Sequence, residues 1–207
     1  MENLQEQFGN IDIYLFDQLL KGAYADCRSV VDIGCGGGRN SYYFLKNGYE
    51  VFAIDQDPEA IVAMRRLAAG LAPQLPEENF VLGDLLDMPF EDERFDLVIC
   101  VAVLHFARDV DHFEQMLHAI WRVLKPGGFL LARLASDIGT EQLVEPVGQG
   151  RYLLPDGTER FLVNQEMLIH YTEALGGALH EPLKTTNVQN LRSMTTWCVR
   201  KGQRSPK

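Results

Sequence analysis

The chain has 207 residues, 46% of them hydrophobic, which suits one globular domain with a sizeable core. Its 29 acidic residues outnumber 19 basic ones, a formal charge of −10, so it lacks the cation surplus that a DNA or other phosphate-backbone partner demands. No apolar run approaches the ~20 residues that span a bilayer, and MENLQEQFGN lacks the build of a secretory signal, so neither a membrane nor export is expected. Cys27, Cys35, Cys100 and Cys198 form no C-x-x-C pair; they read as reduced thiols of a cytoplasmic protein, with no metal site.

In chain order, FGNIDIYLFDQLL puts Ile13, Phe16, Leu19 and Leu20 on one helical stripe, read as a face packed on the core. Ser29–Gly34 is an apolar strand, followed by a helix over 40–47 and a second strand, EVFAID, ending at Asp55. Asp57-Pro58-Glu59 opens a helix with an N-cap acid, a proline in its first turn and a carboxylate at its positive end. Short apolar strands recur at 79–83, 95–101 and 128–134, and between the last two a helix carries Phe113, Met116, Leu117, Ile120 and Leu124 on one face up to Lys125-Pro126-Gly127-Gly128. This alternation predicts right-handed crossovers and a doubly wound α/β domain built on a mostly parallel sheet. Beyond it, 151–154 and 159–163 flank the turn Pro155-Asp156-Gly157-Thr158 as a hairpin, a helix covers 165–175, and 179–188 and 192–200 pair antiparallel. The terminal KGQRSPK reads as a frayed end.

In an open parallel sheet, ligands sit beyond the carboxyl ends of the strands, where strand order reverses. The first such place here is VVDIGCGGGRN, residues 30–40, with glycines at 34 and 36–38. The dinucleotide fingerprint G-x-G-x-x-G would need its third glycine at position 39, which is Arg39. Asp32, just before the turn, would repel a pyrophosphate but suits a ligand that carries an ammonium group. Asp55 ends the second strand, where an acid accepts from ribose hydroxyls, and Asp84 and Leu85 follow the third, placed for an adenine.

These stretches together resemble the class I S-adenosylmethionine-dependent methyltransferases: VVDIGCGGG their first motif, AIDQD the second, GDL the third, FDLVICVAVLHF the fourth, and LKPGGFLLAR the entry to strand five. GRNSYYFLKNGYEVFAID is locally similar to the tellurite-resistance methyltransferases. The resemblance implies a Rossmann-like seven-stranded sheet whose last strand is antiparallel, and S-adenosylmethionine as cofactor. It assigns Asp32, Gly34, Cys35 and Gly36 to the methionine end, with Arg39 and Asn40 near the cofactor carboxylate. Asp55 and Gln56 fall at the ribose, Asp84 and Leu85 at the adenine, and Val101 near the sulfonium.

The function so implied is methyl transfer by in-line displacement to a small-molecule acceptor. The alternatives are a protein or RNA methyltransferase and a non-catalytic module that binds the cofactor. His105, after strand four in VAVLHF, is the candidate general base, beside its reading as a structural histidine. Segment 1–28 is read as a lid helix with Tyr14 toward the cofactor, and 136–163 as an insertion on the substrate side. Arg133, Arg151, Arg160 and Arg192 are read either as groups gathered round an anionic substrate or as scattered surface partners. The oligomeric state is left open.

Overall fold

A computed structural model describes residues 3–203; the terminal 204–207, read above as frayed, lie outside the described residues. The first five strands are β1 (Ser29–Ile33), β2 (Glu50–Asp55), β3 (Phe80–Leu82), β4 (Phe95–Val101) and β5 (Leu124–Ser136). Three more, β6 (Glu145–Gly148), β7 (Arg151–Leu153) and β8 (Glu159–Phe161), form a separate antiparallel sheet. β9 (Gly177–Leu179), β10 (Lys184–Val188) and β11 (Arg192–Lys201) complete the main one. Its order is β10-β11-β5-β4-β1-β2-β3, with β9 pairing β11 beside β10. β1 to β5 are mutually parallel and β11 runs against both neighbours. The result is a Rossmann-like sheet of seven positions with one antiparallel strand.

The chain winds from β1 outward to β3, then returns to place β4 on the other side of β1. That reversal leaves a crevice between the carboxyl ends of β1 and β4, because their connections leave in opposite directions. Both faces of the central strands are covered, which explains their continuous apolar runs. On one face Val31, Ile33, Val98 and Leu130 pack under α5 (Val110–Val123) and α6 (Gln165–Ala174). On the other, Val30, Ala53, Ile99 and Leu131 meet Leu15 of α2 (Ile13–Leu20), Phe44 of α3 (Tyr42–Lys46) and Met64 of α4 (Pro58–Leu71).

Several local expectations need correction. The leading segment is two short helices, because Gly9, at φ +60°, closes α1 (Leu4–Phe8) against the Tyr42 ring. In α2 the buried residues are Leu15 and Gln18, while Ile13 and Leu20 are 63% and 68% exposed. Phe16 turns aside to Phe8, edge to face at 4.7 Å. The fifth helix ends at Val123, and β5 begins at once with Leu124 opposite Phe95. The strand expected over 179–188 is split into β9 and β10, and the break contains Pro182, which has no N–H to donate to a ladder.

The expected hairpin is present as β7 and β8, and β6 joins it as a third strand that its exposed sequence did not signal. The small sheet is seated by Phe161, which stacks on Phe113 of α5 at 4.9 Å, with Tyr171 of α6 closing the cluster at 5.4 Å. Among the described residues no helix is long and apolar enough to cross a membrane. Phe113→Ala is expected to cost about 3–5 kcal/mol of stability in urea unfolding. Under limited proteolysis the first cut should fall between 145 and 161, since the sheet there loses its apolar seat; a first cut elsewhere would assign that seat to other contacts.

Candidate active site

Two cavities open at the carboxyl ends of the parallel strands. The larger, about 630 Å³, lies over β1 to β4 and is lined by Gly34, Asp55, Gln56, Asp84 and Leu85, with Ala102, Val103, Arg108, His112 and Met116 on its far side. Gly34 is required there: its φ is +67°, and a Cβ would fall 2.3 Å from the Val103 methyl that packs on it. The Gly36 N–H donates to Asp55 Oδ2 at 2.8 Å, and the Asp57 N–H donates to Oδ1 at 3.0 Å. Asp84 Oδ1 accepts from the Leu86 N–H at 2.7 Å, and Oδ2 accepts from the Gln56 amide at 2.6 Å. Both carboxylates are thus fixed in direction by backbone groups next to them. With Asp87 they set three negative groups against the single guanidinium of Arg108.

The second cavity, about 280 Å³, reverses that balance. Arg133 of β5, Arg160 of β8 and Arg192 of β11 line it with one carboxylate, Asp156, and with His105. Ala135, Leu154, Val188 and Met194 supply apolar wall. Ala102 lines both cavities. It sits at φ +62°, in the left-handed region, and its N–H donates to the Arg133 carbonyl at 2.8 Å. A side chain with a Cβ pays ~1–2 kcal/mol for that conformation.

His105 is buried, and its Nδ1 accepts from the Ala135 N–H at 3.3 Å. The neutral ring therefore carries its proton on Nε2 and is a donor at that atom. Burial, helped by the Arg160 charge, holds its pKa down to about 4. A ring with one nitrogen bonded to the backbone and the other already protonated is poorly made for abstracting a proton.

Of the sequence-predicted residues, Gly34, Asp55, Gln56, Asp84 and Leu85 meet at the larger cavity, and His105, Arg133 and Arg160 at the smaller. Asp32 lines neither. It shares the sheet face of its register partners Ala53 and Ile99, lies almost fully buried, and accepts from Ser41 Oγ at 2.9 Å. Cys35 and Val101 are buried in that same layer, and Gly36 serves by bonding Asp55. Arg39 and Asn40 are held by the protein's own Asp12: Arg39 pairs with its carboxylate at 3.6 Å, and the Asp12 N–H donates to Asn40 Oδ1 at 3.0 Å. Arg133 reaches the same carboxylate at 3.1 Å. Tyr14 lies outside both cavities, its ring under Arg133 at 5.4 Å and its hydroxyl bonded to Thr186.

Sequence reasoning missed Ala102, Val103, Phe106, Arg108 and His112. Their signal was position alone: they follow the strand beside the crevice. Arg151, grouped earlier with the other arginines, binds Glu159 and the Ala107 carbonyl instead.

Comparison with known proteins gives a consistent result. A family described as "Methyltransferase domain" matches residues 31–132. The ubiquinone biosynthesis O-methyltransferase of Alkalilimnicola ehrlichii is 24% identical over 170 residues, covering 75% of this chain and 66% of that protein. A Pyrococcus horikoshii crystal structure superposes with a TM-score of 0.69 at 21% identity, covering 91% of this chain and 89% of the other. The 1,6-didemethyltoxoflavin-N1-methyltransferase of Burkholderia thailandensis, solved with 1,6-didemethyltoxoflavin and S-adenosylhomocysteine bound, gives 0.62 at 20% identity, covering 93% and 82%. The chain spans between about a third and two thirds of the length of three curated relatives it matches.

Burial pushes the Asp32 carboxyl up to about 7, opposed by the Ser41 hydrogen bond and the Arg39 charge and reinforced by Asp55. An unfolded aspartate ionises near pH 3.9, so between roughly pH 4 and 7 the folded state keeps a proton that the unfolded state has lost. Stability therefore falls as pH rises through that window. Asp32→Asn is expected to be more stable than the parent at pH 8, by of order 2–4 kcal/mol, with the gap closing toward pH 4. Thermal unfolding at the two pH values measures it, and a pH-independent gap would contradict the buried, protonated carboxyl.

Proposed function

We propose that this chain, which belongs to the class I S-adenosylmethionine-dependent methyltransferase family, transfers a methyl group from S-adenosylmethionine to a small-molecule acceptor. The observation that carries the reading is the pair of fixed carboxylates, Asp55 and Asp84, in a cavity large enough for an adenosyl group. Asp55 and Gln56 stand where ribose hydroxyls would be accepted, and Asp84 and Leu85 where an adenine edge and face would be met. When bound, S-adenosylmethionine supplies a methyl group on a positively charged sulfur that departs as a neutral thioether.

The chain's own residues fit that need in three ways. The acidic lining of the larger cavity favours a cationic ligand over a diphosphate. Ala102 lines both cavities, so the two adjoin at that residue, and an acceptor in the smaller one would reach the methyl carbon directly, past the edge of Ala102. Alignment of this kind is worth ~7–11 kcal/mol in a displacement at an activated carbon, which leaves little for a base to add. His105 then acts as a neutral Nε2–H donor that helps hold the acceptor.

The net charge of −10 disfavours RNA as the target, and a small acceptor accords with the size of the second cavity. Four free, buried thiols suit a reducing compartment, so we place the protein in the cytoplasm.

Calorimetry with S-adenosylhomocysteine tests the cofactor site. Asp55→Ala is expected to weaken binding roughly 10- to 100-fold and Asp84→Ala to weaken it less. Unchanged affinity in both variants would remove the cavity from this role. Transfer of labelled methyl to a small-molecule extract then separates an enzyme from a module that only binds. In that assay His105→Gln, which keeps a donor, should retain turnover within about threefold, whereas loss of a true general base costs ~10²–10⁴-fold.

A further inference from the structure

We infer that the acceptor is a small organic anion, its charged group seated among Arg133, Arg160 and Arg192 in the second cavity and its nucleophilic atom turned toward Ala102. That the bound anion is a methyl acceptor rests on the methyltransferase reading; the arginine cavity is a property of its own groups.

The three guanidinium groups arrive from three strands of two sheets, and Asp156 is the one carboxylate in the lining. Its charge does not complete them. Asp156 Oδ1 is held by the Thr158 N–H and hydroxyl at 2.9 and 2.6 Å, and Oδ2 lies 3.8 Å from Arg192. Arg160 makes no ion pair among the described residues; it lies over the Phe106 ring at 5.0 Å and donates once, to the Glu159 carbonyl. Stacking on a ring occupies the face of a guanidinium and leaves its edge donors in plane for an oxyanion. Arg133 spends one terminal nitrogen on Asp12, while its Nε is buried without a hydrogen-bond partner.

The surroundings strengthen such an anchor. Ala135, Leu154 and Met194 limit water near Arg133, whose side chain is 20% exposed, while Arg192, 56% exposed, stands at the rim. His105 lines the same space, and a second Asp or Glu does not. At about 280 Å³ the cavity holds roughly ten heavy atoms, by comparison with ~30 Å³ per water. That is room for one charged group and a compact body. The two cavities would then hold ligand charges of opposite sign on either side of Ala102, each matched to its own lining.

The test titrates the full-length protein, with S-adenosylhomocysteine bound, with benzoate, phenyl phosphate and neutral benzamide, following the His105 ring signal by NMR. Either anion is expected to bind at least ~10-fold tighter than benzamide, and the stronger of the two says whether a carboxylate or a phosphate is the preferred group. Arg160→Gln and Arg192→Gln should lose that preference, with S-adenosylhomocysteine affinity within twofold of the parent as the control on folding. Benzamide binding as well as both anions overturns the inference. So does a preference that survives in the double variant, or the absence of a saturable response to either anion at millimolar concentrations. If S-adenosylhomocysteine fails to bind, the methyltransferase reading falls by that result, and the same three titrations without it still decide whether the arginine cavity selects anions.

Discussion

A single hydrogen bond, from the Ala102 N–H to the Arg133 carbonyl, governs the working end of this molecule. It catches the chain just as β4 ends and holds Ala102 in a conformation that only glycine adopts without strain. The turn drives Val103 back onto Gly34, so the loops after β1 and β4 interlock across the crevice where the sheet reverses direction. It also sends His105 under β5, where the Ala135 N–H fixes its ring. Cavity walls, histidine tautomer and glycine requirement are consequences of one backbone geometry.

That geometry separates two electrostatic environments within a few residues of each other. The end of β2 and the short loop after β3 direct carboxylates into the larger cavity, Asp55 tied by the Gly36 and Asp57 N–H groups and Asp84 by that of Leu86. The arginines of the smaller cavity come from β5, β11 and the small sheet, which reaches the site because Phe161 is seated on Phe113. Fields of opposite sign thus stand side by side around Ala102.

The protein's own carboxylates also replace contacts that the motif pattern assigns to a ligand. Asp12 occupies Arg39, the Asn40 side chain and part of Arg133, anchoring the leading segment to the glycine loop and to β5 together. Asp32 props the loop from beneath through Ser41. An acid before a glycine turn thus has a structural use here, holding the next helix down.

The order of strands and helices, the parallel winding and the acids at the ends of β2 and β3 were all legible in the sequence. Each depends on local periodicity or on a short connection, and those interactions lie within a few residues of one another. The buried stripe of α2 was not legible, since the sheet face it meets sets it; β6 carries no buried alternation to announce it, and the break between β9 and β10, though Pro182 marks it, was read through as one strand. The same division runs through the site. Asp55, Gln56 and Asp84 announce themselves because a strand end fixes where a side chain emerges. That Arg133, Arg160 and Arg192 share a cavity, that Asp12 claims Arg39, and that His105 presents a proton instead of a lone pair depend on contacts between residues from 27 to 121 positions apart. Such contacts exist only once the chain has closed on itself.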